Sequence, residues 1–289
     1  MRSAAAADYP DSDQLGERNY QRLAALVGKH SGIRLPPGKR LMLEGRLRKR
    51  VRILGYGSLD DYCHYLFEAN GLAEELTHLI DVVTTNKTDF FREPQHFDYL
   101  TGKIVPAILA KRSYGATQPQ LKIWSAASST GAEAYTIGMV LSDMIQRGMK
   151  FRFSILGTDI STDVLKQAVR AVYPQDMVAP VPYEFQMRYL MRSRNKGARQ
   201  VRIVPELRRI TQFLHLNLMD GGYPIDRDVD VIFLRNVLIY FEKQTQQAVL
   251  QRHVGHLRPG GHLILGHSES MIGTTLQMTQ VAPGVFQNA

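Results

Sequence analysis

The sequence predicts an α/β protein: an all-helical N-terminal domain followed by a doubly wound, mostly parallel sheet with a small antiparallel β insertion. Three observations carry that prediction. The first ~80 residues show only the helical period, with apolar residues every three or four positions. After Thr84 short β-rich runs, "LKIWSAA", "FSILGTDI", "VDVIFLRN" and "GHLILGHSE", alternate with helical stretches such as "AYTIGMVLSDMIQRG" and "QTQQAVLQRHVGHL", and such alternation builds parallel sheets. Between Tyr173 and Leu218 the alternation breaks. There "QVRIV" and "TQFLHLNL" follow a basic, Gly-containing "RSRNKGAR".

The elements follow in order. "ERNYQRLAALVGKHSG" places Tyr20, Leu23, Leu26 and Val27 at helical spacing and stops at Gly32. "GKRLMLEGRLRKRVRILG" puts Leu43, Leu47, Val51 and Leu54 on one stripe, with Arg46, Arg48, Lys49, Arg50 and Arg52 expected on an outward basic face. "SLDDYCHYLFEANG" opens on Ser58 as N-cap with acids in its first turn, and "LAEELTHLIDVVTTN" continues the pattern. The resulting boundaries are a helical domain at 15–85, a connector at 86–98, and an α/β domain at 99–289 with its insertion at about 174–218.

Length and composition bound the function class. The 289 residues, 44% hydrophobic and 22% charged, suffice for one large or two modest domains. One cysteine, Cys63, forms no internal disulfide, and neither a signal peptide nor a transmembrane run of about 20 apolar residues appears. A reducing, cytoplasmic setting without membrane insertion is expected. The net charge of +9 points to an acidic partner: nucleic acid, anionic lipid or acidic protein. Lys29 to Arg52 alone holds nine basic residues against Glu44.

Chemistry is expected outside the carboxyl ends of the parallel strands. The first strand runs into "SAASSTGAEAY", a small-residue turn at Gly131 that is neither G-x-G-x-x-G nor a Walker loop. The second ends at Asp159, placed to accept both hydroxyls of a ribose, although "DISTDVL" also reads as a helix start. A later strand brings Asn217 to its lip, and "FLRNVLIYFE" carries Arg235 and Asn236 straight after an apolar strand, then Tyr240. Polar residues at four strand ends describe a nucleoside-type pocket. The connector "TTNKTDFFREPQHF" fits no regular period and reads as a ligand-lining segment. His30, His262 and His267 stand at no metal-ligand spacing with Cys or acids, so no metal site is expected.

Taken in order and spacing, "NKTDFFREPQHF", "IWSAASSTGAEAY", "LGTDI", "FLRNVLIYF" and "GGHLILGHSES" resemble the CheR family of chemoreceptor glutamate methyltransferases, from about residue 20 to the end. The resemblance implies a Rossmann-like methyltransferase domain that takes S-adenosyl-L-methionine, leaves S-adenosyl-L-homocysteine, and esterifies glutamates on cytoplasmic receptor helices in chemotaxis signal transduction. By motif it carries over Asn86, Thr88, Arg92, Glu133, Asp159, Asn217, Leu218, Arg235 and Asn236 as cofactor-binding residues. From their placement, Arg92 and Tyr240 are expected to orient the acceptor carboxylate. Arg46, Arg48, Lys49, Arg50 and Arg52 would meet the acidic receptor helices. Methyl-accepting chemoreceptors are then the partners of a monomer recruited to receptor arrays at the inner membrane. The basic segment Arg192 to Arg202 is a candidate dock for a receptor's C-terminal peptide, as the insertion is in some family members. Ala132 and Ala134 stand where the family commonly has Glu and Pro, Leu234 where it has Cys, and Lys87 where it has Glu. Two rival readings stay open: a cofactor-binding adaptor of a chemosensory pathway with weak or no turnover, and a nucleic-acid methyltransferase. Against the latter, no D/N-P-P-Y/F motif stands at "LRNVLIYFE", and Cys63 lies in the helical domain.

Overall fold

The computed structural model describes residues 13–112, 118–193, 195, 197–271 and 274–289. Two compact units emerge: residues 1–85 with 240–242, and residues 86–239 with 243–289. The connector expected at 86–98 belongs to the second unit.

The first unit holds helices α1 (Glu17–Ser31), α2 (Arg40–Leu54), α3 (Leu59–Phe67) and α4 (Leu72–Val83). Their apolar stripes meet in one core containing Leu23, Val27, Leu43, Leu47, Val51, Tyr62, Cys63 and Leu79. The capping signals act as expected. Gly32 ends α1 at φ 73°, and the Ser58 side chain accepts from Asp61 N at 3.0 Å.

The second unit opens with α5 (Gln95–Tyr99), which runs through a wider turn at Leu100–Ile104 into α6 (Val105–Arg112). It continues through β1 (Gln120–Ala126), α7 (Ala132–Gln146), β2 (Arg152–Asp159), α8 (Thr162–Arg170) and β3 (Val172–Pro174). Next come α9 (Tyr183–Tyr189), β4 (Leu190–Arg192), β5 (Gln200–Ile203), α10 (Pro205–Ile210) and β6 (Thr211–His215). The chain closes with β7 (Val229–Leu234), α11 (Lys243–Val254), β8 (Leu257–Leu265), β9 (Met278–Ala282) and β10 (Val285–Asn288).

Seven strands form one sheet in the order β6-β2-β1-β7-β8-β10-β9, with β6 through β8 parallel and the last two antiparallel. All six residues of β7 are buried, as expected for a central strand covered on both faces. The chain winds outward from β1 through β2 to β6, then returns to β7 on the other side of β1. That reversal opens a crevice at the carboxyl ends of β1 and β7, where open α/β sheets bind ligands.

One expectation needs correction. "TQFLHLNL" does not belong to the antiparallel insertion: Thr211–His215 pairs in parallel with Ile155–Asp159 as β6 of the main sheet. The insertion sheet is instead β3-β5-β4, which closes before residue 204. Gln212, Leu214 and His215 are exposed, as in an edge strand, yet Phe213 packs against Gly131, Gly157 and Tyr135. The β9–β10 hairpin, turned at Pro283–Gly284 with Gly284 at φ 69°, was not expected, although its Pro-Gly pair is a turn signal. Arg194 and Lys196 of the basic segment lie outside the described residues.

Candidate functional site

At the end of β1 the chain must turn sharply from strand to helix. Ala127, Ser129 and Gly131 take φ values of 55°, 50° and 84° to do so. Such backbone is costly for residues with a Cβ and persists only where surrounding bonds hold it. Gly131 is required twice over, since an added Cβ would also lie 2.9 Å from the Phe213 ring and 3.0 Å from Ala168. Ser128 N donates to the Thr158 carbonyl at 2.8 Å, and Ser129 Oγ donates to the Asn86 carbonyl at 2.9 Å. Ala132 and Ala134 are fully buried in the first turn of α7.

Asp159 ends β2 and is buried, 8% exposed. One oxygen accepts from Ser129 N at 2.8 Å and the other from Ser161 N at 2.9 Å. The helix cap is not Asp159 but Ser161, whose Oγ accepts from Val164 N. The two backbone groups fix the orientation of the Asp159 carboxylate.

Arg235, directly after β7, joins the other parts. Its side chain is 2% exposed, and Nε donates to Glu133 at 2.6 Å. Nη1 reaches the Arg92 carbonyl at 2.9 Å, His96 Nδ1 at 3.0 Å and Glu93 at 3.3 Å. Phe97 and Phe233 present their ring faces to the guanidinium. Glu133 takes a second bond from Ser125 Oγ at 2.7 Å. A guanidinium cannot accept, so His96 accepts at Nδ1 and keeps its proton on Nε2. Burial, reinforced by Arg235, pushes the His96 pKa down to about 4. Burial alone would raise Glu93, but the Asn236 hydrogen bond and the Arg235 charge bring it below the usual carboxylate range.

The connector is held by its aromatics. Phe90 is buried edge-on to Tyr173, Phe91 packs on Phe97 and Phe185, and Phe91 N donates to Thr136 Oγ1 at 3.2 Å. Phe91 and Glu93 take φ 54° and 55°. Arg92 donates to the Lys87 carbonyl at 3.2 Å, and Asn86 and Thr88 are half-buried. Asn236, at φ 57°, donates from Nδ2 to Glu93 at 3.2 Å. Asn217 Oδ1 accepts from Met219 N at 3.0 Å, while the Leu218 carbonyl accepts from Tyr223.

The structure therefore links the connector, the β1–α7 turn, Asp159, Arg235 and Asn236 by direct hydrogen bonds. Glu133 and Arg235 face each other as a buried pair. Tyr240 ends a short helix, Leu238–Tyr240, and groups with the helical unit, where its carbonyl accepts from Arg34 N at 3.1 Å. The five basic residues of α2 do not share one outward face. Arg46 bonds the Val83 and Thr84 carbonyls, Arg48 the Asp13 carbonyl, and Arg50 the buried Glu75, leaving Lys49 and Arg52 exposed. Five residues in seven positions span most of a helix circumference, so some must turn inward.

Sequence reasoning missed Glu93, His96 and Glu269. Glu93 and His96 lie in the quoted connector and Glu269 in "GHSES", but no periodicity distinguishes them. It also missed that Glu93, His96 and His267 gather, with ligand-type atoms within 4.8 Å of one another. His267 is distant in the chain, so spacing could not show it. The cation already among them is the Arg235 guanidinium.

Residues 18–84 match the family described as "CheR methyltransferase, all-alpha domain", and residues 86–285 match "CheR methyltransferase, SAM binding domain". The chain is 38% identical to the chemotaxis protein methyltransferase of Salmonella typhimurium, over 89% of this chain and 85% of that one. It is 37% identical to the Escherichia coli protein of the same name, over 89% and 85%. With chemotaxis protein methyltransferase 2 of Pseudomonas aeruginosa it shares 35% identity over 94% and 93%.

Proposed function

The chain belongs to the CheR methyltransferase family, and on that premise we propose that it forms glutamyl methyl esters on the cytoplasmic helices of chemoreceptors. S-adenosyl-L-methionine is its cofactor, and when bound it supplies an electrophilic methyl group on a sulfonium. The residues present fit that group. Ser128 Oγ and Thr130 Oγ1, in the β1–α7 turn, are buried polar atoms without a partner among the described residues. Asp159 stands at the carboxyl end of β2, its two oxygens oriented by Ser129 N and Ser161 N beside the β1–α7 turn, where a ribose would be met; that placement is the observation that carries the reading. Asp159, Glu133, Glu93 and Glu269 outnumber the guanidinium groups of Arg235 and Arg92, a balance that suits a cationic ligand.

Asn86, Thr88, Arg92, Glu133, Asp159, Asn217, Leu218, Arg235 and Asn236 form the proposed cofactor rim. Glu133 and Arg235 act in it chiefly by holding each other and the connector. A glutamate acceptor is ionised at pH 7, with a reference pKa near 4.3, so no general base is needed. What the protein contributes is alignment, worth up to about 7–11 kcal/mol in ideal cases. Arg92 and Tyr240 are the residues proposed to orient the acceptor, and Lys49 and Arg52 lead the proposed receptor contact. No helix among the described residues is long and apolar enough to cross a membrane. We assign the protein to the cytoplasm as a monomer recruited to receptor arrays.

Incubation with labelled cofactor and receptor membranes, followed by alkali, tests the reading. Volatile methanol is the expected product of a glutamyl ester. Label that survives alkali, as on an N-methylated base, or no label at all despite cofactor binding, as from an adaptor, overturns it.

A further inference from the structure

Glu269 receives four backbone hydrogen bonds on one carboxylate. Its Oε2 accepts from Gly266 N at 2.8 Å and Asn236 N at 2.7 Å, and its Oε1 from Val237 N at 2.8 Å and Leu238 N at 2.7 Å. Three of these donors are consecutive, and the left-handed conformation of Asn236 turns them toward one point. Consecutive N–H groups arranged in this way form an anion-binding concavity, filled here by a side chain from the loop that follows the neighbouring strand β8. Four donors exhaust the acceptor positions of a carboxylate, so Glu269 has no capacity left to hold a ligand. Only a glycine permits the closure. A Cβ on Gly266 would lie 2.6 Å from Asn236 Nδ2 and 2.9 Å from Glu269 Oε2.

We propose that Glu269 is a positioning residue of the methyltransferase site, a carboxylate clasp that ties the end of β8 to the turn after β7 and so fixes Arg235 and Asn236 for the cofactor. Without the clasp, Asn236 loses the bond that stabilises its left-handed backbone. Its side chain then leaves Glu93, and Glu93 in turn is one of the groups that hold Arg235. The clasp thus acts on both residues through the backbone and touches no ligand. The inference rests on the reading that this rim binds S-adenosyl-L-methionine.

The experiment combines calorimetry with chemical rescue. Glu269→Ala leaves four converging donors and a space of carboxylate shape. Its affinity for S-adenosyl-L-homocysteine is expected to fall by at least roughly tenfold, and added formate is expected to restore it saturably, with chloride at equal ionic strength as control. Glu269→Gln keeps the shape but turns an amide NH₂ toward backbone N–H groups; it is expected to lose affinity without formate rescue, and it carries the test if the alanine variant does not fold. Folded variants that bind with wild-type affinity overturn the proposal. So does formate that restores melting temperature but not affinity, since that result describes a structural role only. Wild-type protein that gives no heat with S-adenosyl-L-homocysteine overturns instead the cofactor reading, and the two failures are distinct.

Discussion

The helical unit and the α/β unit each bury a carboxylate against an arginine, with opposite consequences. In the helical unit Arg50 and Tyr62 meet Glu75, at 2.5 to 2.9 Å from the arginine and 3.2 Å from the phenol. All three sit in regular helices, and the cluster joins α2, α3 and α4. In the α/β unit Arg235 meets Glu133, Glu93 and His96 among residues whose backbone is left-handed: Phe91, Glu93 and Asn236, with Ser129 and Ala127 in the adjoining turn. Similar pairing chemistry serves packing in the first case. In the second it holds strained loops in one arrangement, which is the signature of a shaped site.

The sharpest way to break the comparison is to remove each arginine. Arg235→Met leaves Glu133 and Glu93 buried without their cation and should cost about 3–5 kcal/mol, together with loss of S-adenosyl-L-homocysteine binding. Arg50→Met should destabilise on the order of 3 kcal/mol yet leave that binding intact. Denaturant titration and calorimetry on the same samples read both. An Arg235→Met protein that binds normally would remove the distinction between the clusters.

Asp159→Asn should act mainly on binding. It replaces one of two oriented oxygens by an amide, and a charged acceptor is worth roughly 1.5–3 kcal/mol, so affinity should drop about ten- to a hundredfold. If melting temperature falls steeply while affinity holds, Asp159 serves the β1–α7 turn alone.

Acid should separate the clusters by pH window. His96 has a folded pKa of about 4 against an ordinary 6.5. The unfolded chain therefore binds the extra proton between those values, and the stability tied to neutral His96, packed against Arg235, Glu93 and His267, is complete above pH 6.5 and lost as pH falls toward 4. Burial would raise Glu75, but Arg50 and Tyr62 bring it below its ordinary value of 4.5, so its contribution persists to lower pH and is lost only below 4.5. Unfolding midpoints from pH 7 to 3.5 should show the His96 component flattened in His96→Asn and untouched in Arg50→Met.

The mildest change is at the surface. Lys49→Glu with Arg52→Glu should shift stability by no more than about 0.5 kcal/mol and leave cofactor affinity unchanged. Receptor methylation should fall most at low salt, as screened charge contacts do. Equal methylation at low salt would remove these two from the receptor contact.

The sequence by itself determined the period of each helix, the caps at Ser58 and Gly32, the apolar strands and the polar residues at their ends, because these follow from short-range repetition and turn chemistry. It also carried the motifs that place the chain in its family. Only the tertiary structure decided that "TQFLH" joins the main sheet, that three of the five α2 arginines and lysines are tied to neighbouring backbone and Glu75, and that Arg235 is a buried tie. Only there, too, does Glu269 meet the turn some 30 residues before it. Those facts depend on which strands lie side by side, and pairing between distant segments is set by the packing of the whole core, which no local pattern encodes.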